Sequence, residues 1–519
     1  MWPASAAACT GLATSPARPE PSAGRAIRSD RLAARRLEIL LCVLGIAVMA
    51  GCNFLVGLGE PRGPIWDESY YLTTTQRYLE GTAQFASHPP LGLMLIAAGE
   101  AASGANAGLD THVLARAKKI SGEAIPAGYA FAGVRLASGI FGVMGALACF
   151  ALMMALIESP LPAAAFTNLY LFDNALIAQF RAAHLDAFQI AFGLCALACF
   201  VHAFKRGPRA APGLDLGLAV SCALTTLVRA NGVVLVLLGV ILVGRRFLAR
   251  QGRWPGRAVL RALGEGAAMS LAFLVTVVVV FAAHLLVSRS PPLYGSPAAS
   301  QDARFISAPY EDYLNRRRPL SAQVLVSAAS DYRAAMAADF DGVAMVDPNG
   351  SDVLAWPLGG STINYRWDAA TDRVSYVQLV PNRVGWGIGL TAVCGAVLLV
   401  CASTPHQRES RERTMLIAAL LAVYVAFMAM NLWLSTVRVL YVYHYFIGLM
   451  LSFALAPLVF QEACARWPRL DERRGWILTI GTALLLAAFV FYAPLTFHRP
   501  LTHDSCEVRN WPAEVVSCR

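Results

Sequence analysis

Charged side chains are scarce in this 519-residue chain, at 15% of the total, while hydrophobic residues make up 57%. An average soluble domain carries about 25% charged residues, so a water-soluble globule is excluded and an integral membrane protein is expected. No CxxC pair occurs among the twelve cysteines, which leaves a zinc or dithiol redox site without support. Cys42, Cys52, Cys149, Cys195, Cys199, Cys222, Cys394 and Cys401 lie in or beside apolar runs, where cysteine behaves as a small hydrophobe. Cys506 and Cys518 sit in a polar tail, where a disulfide is open if that tail is extracytoplasmic. No repeat with a period of 20 to 50 residues is visible, which argues against a solenoid. No apolar core of leader-peptide length precedes residue 36, so residues 1–35, rich in Ala, Pro, Ser and Arg, read as a disordered cytoplasmic tail.

What is present is a series of long apolar segments. Windows of about 19 residues place spans near 38–58, 129–157, 160–179, 184–204, 212–228, 231–248, 265–288, 384–402, 414–433, 438–460 and 476–494, about eleven in all. The net charge of +10 comes largely from arginines in short loops. With the N-terminus inside, the basic clusters at Lys205–Arg209, Arg245–Arg261, Arg408–Arg413 and Arg466–Arg474 all fall inside, as the positive-inside rule requires. That accounts for the charge without a nucleic-acid partner. An odd span count puts the C-terminal tail, 495–519, outside. The expected organisation is an N-terminal membrane module, 36–288, containing a long exterior loop, 59–128. An exterior loop or small cap, 289–383, and a C-terminal membrane module, 384–494, follow. The apolar run in 59–128 is too short to span and reads as an interfacial helix.

The first exterior loop carries IWDESYYL and ASHPPLG, with Asp67 beside Glu68 and His88 ahead of two prolines. Acids so near hydrocarbon are costly unless they face water, a partner or a substrate. The bland alternative is a solvated helix start, because Asp and Glu favour helix N-termini. On the same expected face lie Arg181, Asp186, Arg229, Arg438 and His444. A carboxylate can take a proton from a hydroxyl, and arginine grips phosphate in a fixed fork. Isolated arginines can also snorkel to headgroups, and His444, among Tyr441, Tyr443 and Tyr445, can belong to an aromatic belt. Asp173, inside an apolar run, reads more readily as a helix-packing hydrogen bond than as a functional acid. The run Arg316 to Arg318 reads as a solvated face.

The chain resembles the protein O-mannosyltransferase family, the dolichyl-phosphate-mannose-protein mannosyltransferases and their bacterial-type, phospholipid carrier-dependent relatives. The pieces that carry the resemblance are WDE at Trp66–Glu68, FxxHPPLG at Phe85–Gly92, RxxxLD at Arg181–Asp186 and RANG at Arg229–Gly232. Further along come AWPL at Ala355–Leu358, PNRVGW at Pro381–Trp386, RVLYVYHYF at Arg438–Phe446 and FYAPLTFHRPL at Phe491–Leu501. The resemblance implies an all-α polytopic membrane protein with the GT-C glycosyltransferase fold and two larger exterior loops. It implies inverting transfer of mannose or another hexose from a polyprenyl-phosphate donor to a Ser/Thr hydroxyl of a secreted or membrane protein. Asp67 and Glu68 are the implied catalytic pair. Arg181, Arg229, Arg438, His444 and Tyr445 would bind the donor phosphate, and His88 and Asp186 would shape the site. Arg229 stands where the family commonly has lysine. Ala86 and Ser87 replace the usual acid before the HPP motif, and Leu93 replaces a basic residue. About 95 residues in the second loop are too few for a β-trefoil MIR module, which fits a bacterial-type member in the inner membrane. No cofactor is called for, and a divalent metal stays open. Two alternatives stand beside this one: a lipid-carrier transferase with a glycolipid acceptor, as in aminoarabinose addition to lipid A, and a transporter or flippase, whose polar groups would sit nearer the bilayer midplane.

Overall fold

The computed structural model describes residues 21–250, 255–293, 296–343, 345–402, 408–510 and 518. Residues 1–20, within the expected disordered tail, lie outside the described residues, and from Pro21 the chain is helical. Helix α1 (Pro21–Phe54) runs up to a loop that leads into α2 (Glu68–Leu79) and α3 (Pro90–Ser103). Pro90 occupies the first turn of α3, where a missing N–H costs nothing, and Gly104 closes the helix in the left-handed conformation. α3 packs on α2 and on α4 (Ala132–Ile157).

The expected span at 160–179 is two pieces, α5 (Pro160–Leu171) and α6 (Asn174–Arg181). Asp173 caps α6 by accepting from the Leu176 N–H at 2.9 Å, and its other oxygen accepts from Trp386 Nε1 at 2.7 Å. Beside it, Asn382 donates to the Phe172 and Leu485 carbonyls, and Asn174 to the Phe489 carbonyl and Thr496 Oγ1. The backbone groups freed by the break are thus paired with neighbouring helices, as hydrocarbon surroundings demand. The packing role expected for Asp173 is the one observed.

The bundle continues through α7 (Asp186–Lys205), α8 (Pro212–Val228), α9 (Val236–Arg250) and α10 (Pro255–Val287). After a segment that includes α11 (Ala322–Asp341) come α12 (Arg383–Ala402), α13 (Arg408–Leu434), α14 (Phe446–Arg466) and α15 (Arg474–Thr496). Among the described residues nine helices are long and apolar enough to cross a bilayer. The broken α5–α6 pair and the 17-residue α8 occupy the positions of the other two segments of the expected eleven. α7 and the span at Val442–Arg466 are mostly buried and form the centre, whereas α10 and α15 are mostly exposed and form the lipid-facing rim.

Up-and-down threading sorts the loops. Among the described residues one end, the site face, gathers residues 55–67, 182–185, 229–235, 288–293, 296–343, 345–382, 435–441 and 497–510. The other end holds the basic loops, where Arg246 pairs with Asp215 and Glu265, Arg250 with Glu265, and Glu462 with Arg413 and Arg466.

The all-α expectation fails in one place. β1 (Ile363–Ala369) and β2 (Arg373–Leu379) form an antiparallel hairpin, and β3 (Leu501–Thr502) from the tail adds a third strand in the order β1-β2-β3. The period-2 pattern of these strands is short, seven residues each, with only Ala370, Thr371 and Asp372 between them. Cys506 and Cys518 are disulfide-bonded and hold the tail beside this sheet.

Candidate active site

The loop before α2 is built around Glu68. Its Oε1 accepts from Arg135 Nε at 2.8 Å and the Ala183 N–H at 2.7 Å, and its Oε2 from Arg135 Nη2 and the Ile65 N–H, both at 2.8 Å. Arg135 also donates to the carbonyls of Leu58, Pro61 and Gly63. Both side chains are fully buried. Burial alone would raise the Glu68 carboxyl, but the charge and hydrogen bonds of Arg135, with His184 and the Ala183 amide, hold it below its ordinary value. With every oxygen occupied, Glu68 has no lone pair directed at a reactant. These contacts tie the loop before α2 to α4 and to the turn at residues 182–185.

Asp67 differs in every respect. It is half-buried at the N-cap of α2, does not cap the helix with its side chain, and makes no side-chain hydrogen bond among the described residues. The preceding Trp66 is in the left-handed region, with φ of 49°. Such a conformation costs about 1–2 kcal/mol in a non-glycine residue and is often found at working sites. Trp66 is held by stacking on Tyr365, with centroids 5.5 Å apart, and by the edge of Tyr441 at 5.8 Å. Burial, reinforced by Asp186, pushes the Asp67 carboxyl above its ordinary value, while His184, Arg229 and Lys119 pull less strongly the other way.

Arg229 is the hub. It ends α8 in an extended conformation, and the turn after it is fixed by Gln189, which donates to the Arg229 carbonyl and to Asn231 Oδ1. Gly232 permits the turn, because a Cβ there would lie 2.8 Å from the Thr225 carbonyl group. The guanidinium is buried, with Nη2 3.1 Å from Asp186 Oδ2 and its plane over Tyr443 at 5.2 Å. Its Nε and Nη2 have no hydrogen-bond partner of acceptable geometry. Burial opposes the charge, but Asp186, Tyr71, Tyr443 and Asp67 outweigh it, so Arg229 stays a cation.

On the other flank, burial and the charges of Arg229, His444 and Arg438 hold His88 well below the usual histidine value, hence neutral. Its carbonyl accepts from Tyr332 of α11 at 2.8 Å. His444 stacks on Tyr443 with centroids 4.7 Å apart, and its Nδ1 lies 3.1 Å from the Tyr441 N–H. Arg438 rests on Phe340 of α11 at 5.1 Å and donates only weakly, to the neighbouring Val439 carbonyl.

Asp67, Asp186, Arg229, His88, Arg438 and His444 therefore share one electrostatic neighbourhood. Arg181 and Tyr445 make their contacts elsewhere. Arg181 donates to the carbonyls of Asn53, Val56 and Gly57 at 3.0, 2.8 and 3.0 Å and lies against Phe497, so it caps the end of α1. Tyr445 is buried against Trp356 and Trp386, with its hydroxyl 3.1 Å from that of Tyr424. Sequence reasoning passed over His184, buried with Nε2 3.1 Å from the Ile65 carbonyl and Nδ1 unpartnered, although it sits inside the Arg181–Asp186 motif. It also passed over Tyr71 and Gln179. Among the described residues no three His, Cys, Asp or Glu side chains come together as a metal site.

A bundle of this topology, with its acids and cations gathered at one end, defines a membrane glycosyltransferase of the GT-C fold. The dolichyl-phosphate-mannose-protein mannosyltransferase model matches residues 45–253, and the model of the C-terminal four-helix region of protein O-mannosyltransferases matches 330–514. The chain belongs to the protein O-mannosyltransferase family. It is similar in structure to the S. cerevisiae protein O-mannosyltransferase Pmt1-Pmt2 complex bound to the sugar donor, at a TM-score of 0.76 and 11% identity over 94% of this chain and 95% of that one. The Archaeoglobus fulgidus oligosaccharyltransferase AglB matches at 0.42 and 11% over 92% and 56%, and Cupriavidus metallidurans ArnT at 0.33 and 14% over 82% and 77%. No curated protein sequence matches the chain at a comparable level.

Proposed function

We propose that the protein transfers a hexose, mannose first among candidates, from a polyprenyl-phosphate donor to a Ser/Thr hydroxyl of a protein acceptor, with inversion. The observation that carries the reading is the buried Arg229 guanidinium, whose Nε has no hydrogen-bond partner and whose Nη2 has only the Asp186 ion pair, in the same neighbourhood as a carboxylate, Asp67, that makes no side-chain hydrogen bond among the described residues. Asp67 takes the hydroxyl proton as the acceptor oxygen attacks the anomeric carbon. The bond from that carbon to the phosphate oxygen breaks, and polyprenyl phosphate leaves as an anion. Arg229 and Arg438 stabilise the developing negative charge, the kind of preorganised electrostatic term that dominates many active sites. Neutral His88, together with His444 and Asp186, walls the pocket. The proposal calls for no cofactor, and transfer in the presence of a chelator tests that.

The site face is assigned to the extracytoplasmic side of a bacterial inner membrane. The basic loops lie at the opposite end of the bundle, and the disulfide-bonded tail shares the site face. Membranes containing D67A or R438A should lose transfer from polyprenyl-phosphate mannose to a Ser/Thr peptide, while R229K should keep more activity than R229M. Wild-type transfer by D67A ends the proposal, as do reporter fusions that place Asp67 and Arg438 on opposite sides of the membrane.

A further inference from the structure

The site is completed by a residue that belongs to none of the sequence motifs, in the strand that follows the Ala355–Leu358 motif. In the β1–β2 hairpin Ile363 pairs with Leu379 and Asn364 with Gln378, but the next pair is Arg366 with Val377, which leaves Tyr365 as an extra residue on β1. A bulge of this kind re-aims a side chain, and bulges are common beside active sites. Here it turns Tyr365 into the bundle, where the side chain is buried. Its ring stacks on Trp66 at 28° and meets His184 edge-on at 5.6 Å. Its hydroxyl donates to Gln179 Oε1. Gln179, fully buried in α6, uses its Nε2 to donate to Asp186 Oδ2, the same oxygen that faces Arg229 Nη2. The amide of Gln179 has one orientation that satisfies both neighbours, because an amide oxygen accepts and an amide nitrogen donates.

The next residue, Arg366, reaches back over the loop before α2. Gly63 there has φ of 151°, and a Cβ on it would collide with the Arg366 guanidinium. Adjacent residues of β1 thus engage the site from two sides, Arg366 at Gly63 and Tyr365 at Trp66.

We propose that Tyr365 is a positioning residue for the transferase, acting through two separable contacts. Through Gln179 and Asp186 its hydroxyl sets the aim of Arg229, and through Trp66 its ring sets the strained turn that presents Asp67. The cap segment between α10 and α12 is therefore part of the active site, and its release would dismantle donor binding and base placement together. The inference rests on the reading of Arg229 as phosphate ligand and Asp67 as base.

The test uses full-length protein in lipid nanodiscs with polyprenyl-phosphate mannose and a Ser/Thr peptide, measuring kcat and donor KM separately. Y365F keeps the ring and loses the donor, so donor KM should rise about tenfold, the worth of one hydrogen bond in a buried network, with kcat nearly unchanged. Q179M should reproduce that shift, and the Y365F/Q179M double variant should be no worse than either alone, because both cut one chain of contacts. Y365A should lose kcat as well, and Y365F should restore it relative to Y365A. A purely structural tyrosine would instead lower yield and thermal stability with no split between KM and kcat. The inference is overturned if Y365F and Q179M leave donor KM unaltered, or if their effects multiply. D67N run in parallel separates the two levels: an active D67N removes the underlying reading, whereas an inactive D67N beside a wild-type Y365F removes only this one.

Discussion

Replacing Glu68 by glutamine changes one atom in a side chain that touches four donors. Whichever way the new amide lies, its NH2 faces two of the four N–H groups that the carboxylate now satisfies, from Arg135, Ile65 and Ala183. Arg135 is left fully buried and charged with no counter-ion. Breaking a buried pair by neutralising one partner costs about 3–5 kcal/mol. Arg135 has three further carbonyls to hold, so it cannot swing out to water. D67N should behave in the opposite way. Asp67 has a raised carboxyl pKa and no hydrogen bond, so its ionised form is a cost to the fold, and the neutral amide should match or exceed wild-type stability. Thermal unfolding of both variants in one detergent, with turnover normalised to folded protein, gives the comparison. E68Q should unfold early yet retain turnover per folded molecule, and D67N should stay folded and lose about 10²–10⁴-fold in rate, the usual worth of a general base. An E68Q protein as stable as wild type and as inactive as D67N would refute the assignment of scaffold to one acid and chemistry to the other.

Because burial raises the Asp67 pKa and the base must be ionised to act, the acid limb of the kcat/KM profile should lie above the ordinary aspartate value of 3.8; a rate flat down to that pH would contradict it. R181M should lower thermal stability by about 1–3 kcal/mol through the lost cap on α1 and leave donor KM at the wild-type value; a raised KM would return Arg181 to the donor site. C506S opens a disulfide with a sequence separation of 12, a loop whose closure is worth about 3 kcal/mol in the chain-entropy account. Limited proteolysis should then cut the tail after α15 in the variant and spare it in unreduced wild type.

The span pattern was legible because each crossing is a local property of some twenty residues, whereas the α5–α6 break inside the expected 160–179 span was not, because Asp173 and Asn174 are held there by Trp386, Phe489 and Thr496 far along the chain. The three-stranded sheet was not, because β3 is two residues long and pairs with β2 only through the tail. Asp67, His88, Asp186, Arg229, Arg438 and His444 could be picked out as polar residues at span ends, since that too is local information. Their separate roles could not. Asp67 and Glu68 are neighbours of like chemistry, and what divides them is Arg135, 67 positions beyond Glu68.

The three arginines make the same point more sharply. Arg181, Arg229 and Arg438 each follow an apolar helix at the site face, and each could bind a phosphate or simply end a span. Arg181 meets three carbonyls at the end of α1 and in the turn after it, from Asn53, Val56 and Gly57, and is used up. Arg438 meets a ring and keeps most of its fork free. Arg229 meets the Asp186 carboxylate and the Tyr443 ring, with Tyr71 beside it, and its buried Nε and Nη2 make no hydrogen bond of good geometry, which leaves donor capacity for a further acceptor. A buried donor left unmet costs about 1–3 kcal/mol, and a bound phosphate oxygen would recover that cost. That deficit favours an anionic ligand at this guanidinium. Asp186, held by Gln179, limits how far the guanidinium can turn away to relieve the strain, which is why the aim of this one arginine depends on a tyrosine in a distant hairpin.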